Sequence, residues 1–192
     1  MRIKIKEKNQ TALITLTEAK DQLNIDTAFT GKDTMVSGLI LAASAYVEGV
    51  TGRYITEQSI QLICDSWDEV QGQLPFGNFQ SVTSITYLDT DGNEQTVSSS
   101  DYIVGGVDTD EGRILFEDTF DFPELYDIYP ITVEIVIGYP MDDTGDTDDY
   151  LVNVPDSLKF ATRLYVESLY DKVDLAATVN ALLSQYRSYR QC

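Results

Sequence analysis

Apolar residues recur at helical spacing between Thr34 and Arg53: Met35, Val36, Leu39, Ile40, Ala43, Tyr46, Val47 and Val50. Ala42 and Ala43 let another helix come close. Gly52 stands where a C-cap glycine belongs. Gly38 and Gly49 each cost about 1 kcal/mol of helix propensity against Ala, so packing of the apolar face is expected to hold the helix. A shorter helix is predicted over about Leu16 to Asn24, opened by the capping-box pair Thr15 and Glu18. A turn region, Ile25 to Lys32, leads to Asp33 or Thr34 as the cap of the long helix.

After Arg53 the apolar period changes from about 3.6 to 2. Strands are predicted near 57–66 and 80–88, with a hairpin turn over Asp89–Asn93 and a return from Gln95 to Val97. Tyr102–Val104 and Arg113–Phe116 read as a further pair. Ile131–Tyr139 is the clearest strand, with Ile131, Val133, Ile135 and Ile137 on one side. Pro155 then suits a helix's first turn. Leu158, Ala161, Leu164, Tyr165, Leu169 and Tyr170 form one helical stripe. Leu175, Val179, Leu182, Leu183 and Tyr186 form another, from about Asp174.

This order predicts an α+β protein: an α-helical bundle of two N-terminal and two C-terminal helices, with a small antiparallel β domain inserted. Neither helix pair alone buries much, so the two pairs are expected to pack together. The boundaries read as an N-terminal arm over 1–14, the bundle over 15–55 and 151–188, the acidic β insertion over 56–150, and a tail at 189–192. In the arm, Ile3 and Ile5 alternate with Arg2, Lys4 and Lys6. Such a segment adds to a sheet, lies on an acidic partner, or is a frayed terminus.

Charge sharpens the division. Of 32 acidic residues, 23 lie in residues 54–158 beside the single basic Arg113, a net of −22. The flanks together carry +3. So acidic a segment repels nucleic acid; a solvated surface from a salt-rich habitat is the plainer alternative.

The sequence has no histidine, which removes Ser-His-Asp and Cys-His chemistry and His-ligated metals. Its two cysteines, Cys64 and Cys192, are too few for a disulfide framework or a zinc site. No run of 18 apolar residues is present, so no membrane span is expected. Nor is a secretory signal expected, since the basic start MRIKIKEKNQ lacks an apolar core and a cleavage site. No GxGxxG, Walker, G-x-S-x-G or H-E-x-x-H pattern occurs. Asp89, Asp91 and Asn93 start like a calcium loop, but Gly92 and Ser100 stand at the wrong positions for one, and a hairpin turn is the better reading. The 142–149 cluster reads as solvated linker. No enzyme, cofactor or metal site is expected. Tyr186, Arg187, Tyr189 and Arg190 are the residue types that dominate interfaces, with Tyr186 completing its helix and Tyr189–Cys192 left for a partner.

The succession LTEAKDQLNID, AASAYVEGVTGRYI, LPFGNFQSVTSITYLDTDGN, a strand ending GYP, VPDSLKFATRLYVESLYD and ALLSQYR resembles the head–tail connector (adaptor) proteins of long-tailed double-stranded-DNA phages. It covers about residues 13–188. The acidic 142–149 loop departs from the pattern. The resemblance implies a structural virion protein of the neck, assembled in the host cytoplasm. It implies a ring, typically a dodecamer, docked beneath the portal by C-terminal segments. That ring extends the DNA channel without reading sequence and offers a platform to the next neck or tail protein. Another head-completion or tail-completion protein, a stopper or terminator, is the alternative. Tyr46, Glu48 and Arg53 then fall near the bundle–insertion junction or a subunit interface, and Tyr186, Arg187, Tyr189 and Arg190 on the portal-docking segment.

Overall fold

A computed structural model describes residues 1–7, 12–74, 76–142 and 149–187. Pro75, most of the acidic 142–149 loop, and the tail residues Tyr189, Arg190 and Cys192 lie outside them. The fold is α+β, as the change of period predicts, and resolves into two units.

The first unit is built on a five-stranded sheet of β1 (Arg2–Glu7), β2 (Gln58–Cys64), β4 (Phe79–Leu88), β5 (Glu94–Thr96) and β8 (Ile131–Ile137). The strands lie in the order β1-β2-β8-β4-β5, all antiparallel. Gln58, Ile60, Leu62 and Cys64 pair with Ile137, Ile135, Val133 and Ile131. All eight are buried, because strict alternation puts every second residue on one face. Strand β1 joins this sheet, with Ile3 against Leu62 and Ile5 against Ile60, so the basic terminal segment is a paired edge strand here.

A second sheet, in the order β3-β7-β6, is formed by β3 (Gly72–Gln73), β6 (Tyr102–Gly105) and β7 (Arg113–Phe116). A single-turn helix between β2 and β3, α3 (Trp67–Val70), is absent from the sequence reading. Trp67 anchors an aromatic cluster. Its ring meets Tyr87, Phe116 and Phe120 edge-on at 5.4–5.6 Å. Its indole N–H donates to the Pro123 carbonyl at 3.0 Å, satisfying a donor that would otherwise be stranded beside the core.

The second unit holds α1 (Leu16–Gln22), α2 (Asp33–Thr51), α4 (Asp156–Asp171) and α5 (Ala176–Leu183), ending in a 3₁₀ turn, Ser184–Tyr186. The Thr15/Glu18 capping box is present in both directions. Gly52 closes α2 in the left-handed region at φ 68° and returns its N–H to the Glu48 carbonyl at 2.9 Å, a geometry that penalises a Cβ. Two apolar clusters fill the unit. One joins Leu13, Val47 and Ile55 to Leu158, Ala161, Val179 and Leu183. The other joins Ile14, Ala19, Val36, Ile40 and Ala43 to Val166. The N-terminal and C-terminal helices therefore share their cores.

Two expectations are corrected. Leu13 and Ile14, read as the end of an arm, are fully buried, one in each cluster. The Leu13 N–H donates to Ser44 Oγ at 2.9 Å. Neither Asp33 nor Thr34 caps α2; Lys32 holds that position without a side-chain cap. The Asp33 carboxylate is taken instead by the buried ammonium of Lys20. Lys20 also donates to the Phe29 carbonyl at 2.9 Å and the Thr27 carbonyl at 3.2 Å. The whole 26–33 turn is thereby closed over one cation.

Candidate partner-binding site

The residues expected at a junction or interface lie where α2 ends. Tyr46 is half-buried on α2 and stacks on Tyr165 of α4, with centroids 3.9 Å apart and planes 7° from parallel. Its hydroxyl donates to Asn180 Oδ1 of α5 at 3.2 Å. One side chain thus ties three helices together. Two residues later, Glu48 Oε1 accepts the Ile55 N–H at 3.2 Å. This fixes the chain as it leaves the αL turn at Gly52, and Ile55 enters the first core cluster. The Ile55 carbonyl accepts the Tyr139 N–H at 2.8 Å, so outgoing and returning strands of the chain meet beside this residue.

Arg53 reaches the other predicted set. Its Nε–H donates to the carbonyl of Tyr186. The Tyr186 ring packs on the first core cluster, and its hydroxyl hydrogen-bonds the Ser157 hydroxyl. Tyr186 therefore completes the helical unit, as its place on the apolar stripe predicts. Beyond it the backbone turns extended at Arg187 (φ −64°, ψ 118°), which is exposed. Tyr189 and Arg190 lie outside the described residues. The structure thus brings Arg53 and Tyr186 together, places Tyr46 and Glu48 on the same helix end, and leaves Arg187 facing solvent.

The acidic positions singled out in the sequence have local work. Asp89 Oδ1 accepts the Asn93 N–H at 2.9 Å and the Asp91 N–H at 3.0 Å, and Oδ2 accepts from Gln95 at 3.0 Å. These donors, the Asn93 amide first, hold its carboxyl below the usual range. The calcium-like start, Asp89–Asn93, is a hairpin turn. Asp142 and Asp149 pair through their backbones at 2.8–2.9 Å, and Asp149 Oδ1 accepts the Leu151 N–H at 2.8 Å. Among the described residues, no group of three or more His, Cys, Asp or Glu converges as metal ligands would.

Lys20 is the residue whose role the sequence reading missed. Only the fold shows the turn wrapped around it.

With this architecture in place, the comparisons are decisive about kinship. The sequence pattern of the family described as phage gp6-like head-tail connector protein matches residues 13–118. The chain belongs to that family. The family match spans the N-terminal helices and most of the β-rich segment of this connector. Solved structures carry the likeness over all of it. A chain in the virion of a native gene transfer agent (GTA) particle matches with TM-score 0.76 at 19% identity, covering 100% of this chain and 98% of that one. Chains from the neck of an empty GTA particle, computed with C6 symmetry, and of a native GTA particle, computed with C12 symmetry, match with TM-scores 0.74 and 0.70, each at 20% identity and with the same coverage. At such identity it is the fold that is shared. No curated protein matches the chain in sequence.

Proposed function

We propose that this connector is a non-enzymatic ring subunit of a virion neck, docked beneath the portal, and that its ring prolongs the DNA channel toward the next neck or tail protein. Membership of the connector family carries this reading. The mooring of Tyr186 by Arg53 and Ser157 supports it. That mooring stops the helical unit at a defined point, with Arg187 exposed just beyond it. Arg187 and the following Tyr189 and Arg190 are the residues assigned to the portal. A basic, aromatic segment suits a partner surface that offers carboxylates and apolar pockets. The net charge of −19 suits a channel wall on which DNA slides without sticking. The C12 symmetry of the GTA neck structure supports a dodecamer, closed by heterologous contacts between neighbours.

The experiment is co-purification with the portal protein of the same particle, read by cryo-electron microscopy of the neck. The full chain is expected to form a ring on the portal. A truncation after Arg187 is expected to fold normally and to lose docking. Absence of the chain from the neck density, or docking undiminished by the truncation together with Arg187→Glu, would overturn the portal assignment.

A further inference from the structure

Among the described residues, nothing covers the outward side of α2. Met35 and Leu41 on that side are 47% and 49% exposed. Gly38, Ala42, Ala45 and Gly49 are exposed beside them. From Thr34 to Val47 the sequence holds no charged residue. An uncharged strip therefore runs about 21 Å along the helix, at 1.5 Å per residue. The opposite side is fully committed: Val36, Ile40, Ala43 and Val47 are buried, and Ser44 and Thr51 return their hydroxyls to the Ile40 and Val47 carbonyls at 2.8 Å.

The two glycines make the point sharper. A Cβ placed on Gly38 or Gly49 meets nothing within 4 Å. Neither is needed for a turn, and both weaken the helix. Nothing among the described residues accounts for them. A neighbour lying close against the helix axis does, because only a bare backbone admits such an approach.

Charge says which neighbour. Each copy carries −19, so most of one copy's surface repels another. Two copies meet at least electrostatic cost through a face without carboxylates. The centre of a stable interface is likewise depleted in charge and rimmed by polar groups, here Lys32 at one end and Glu48 at the other. We propose that this face of α2, through Met35, Gly38, Leu41, Ala42, Ala45 and Gly49, receives the adjacent copy of the same chain in the ring. The inference rests on the ring reading above and names the surface that closes it.

The test places a diazirine amino acid at Leu41 of the full chain, in particles and in rings purified from them. Irradiation is expected to give covalent multimers of this chain alone, mapped by mass spectrometry. In parallel, Gly38→Ala with Gly49→Ala is expected to raise the melting temperature of the isolated subunit by about 2–4 °C per site, while lowering ring yield at least tenfold. Ala45→Glu is expected to fold, by circular dichroism, and to form no rings. Rings that assemble normally from these variants, or cross-links to the portal, to lipid or to nothing in assembled rings, overturn the α2 assignment and leave the ring reading standing. Absence of any ring in the particle overturns both.

Discussion

The side chain of Arg53 donates its Nε–H to the backbone carbonyl of Tyr186, 133 residues further along the chain. The residue that closes the first half of the helical unit thereby holds the Ser184–Tyr186 turn of the second half. Arg53→Ala is expected to lower stability by about 1.5–3 kcal/mol, the range for a hydrogen bond to a charged group. Arg53→Lys should rescue little of it, because a flexible ammonium does not reproduce the planar donor. Hydrogen exchange is the more telling measurement. Amides of Ser184–Arg187 should lose protection first, ahead of those in α2.

Tyr46 and Tyr165 lie almost parallel at 3.9 Å. A double-mutant cycle with Tyr46→Leu and Tyr165→Leu, read by urea denaturation, is expected to give a coupling energy of about 0.5–1.5 kcal/mol. Additive losses would mean that the two rings contribute only through burial. Tyr46→Phe separates the hydroxyl's bond to Asn180 from the stack, and should cost about 1 kcal/mol.

Lys20 is buried at the centre of the 26–33 turn. Lys20→Met keeps the stem's volume and removes the cation. Two carbonyls and a carboxylate then lose their donor, and a loss of about 2–4 kcal/mol is expected. Limited proteolysis should cut the variant within residues 25–32 and spare the same residues in the parent chain. A variant that matches the parent in stability and protease resistance would show that the turn holds itself.

Cys64 is fully buried on β2, opposite Ile131. Burial first, and then the carboxylates of Glu69 and Asp65, push its thiol up to about 11 from an ordinary 9.0. The folded protein thus keeps its proton where the unfolded chain has lost it. Stability is complete below pH 9, falls as pH rises, and loses about 2–3 kcal/mol by pH 11. Cys64→Val should flatten this alkaline decline while leaving the neutral range almost unchanged. At pH 8 roughly one thiol in a thousand is ionised, so iodoacetamide should label Cys64 only as fast as the unit opens.

The parts of this fold that are legible in the sequence are those with many residues repeating one rule. Alternation over Ile131–Ile137 identifies the central strand. The Thr15–Glu18 box and Gly52 mark helix ends by local chemistry. What was hidden depends on partners distant in the chain or on elements too short for a period. Trp67–Val70 is a single turn, and Gly72–Gln73 is two residues. Asp33 looks like a helix cap until Lys20 is seen beneath it. Of the candidate site, the residue types were readable at Arg53 and Tyr186. Their meeting was not, because 133 intervening residues give no local sign of it.

The first core cluster joins Leu13 and Val47 to Val179 and Leu183. During synthesis, the earliest helices leave the ribosome long before their packing partners exist. Helices α1 and α2 must wait, with apolar faces uncovered, until nearly the entire polypeptide has been made. Folding dominated by such remote contacts is slow, and the waiting chain is prone to aggregate. Strongly like-charged nascent chains keep one another apart during that interval. The acidity of the middle segment therefore has a use before any particle is assembled: it protects unfinished subunits, at high local concentration on polysomes, from sticking through helices that cannot yet close.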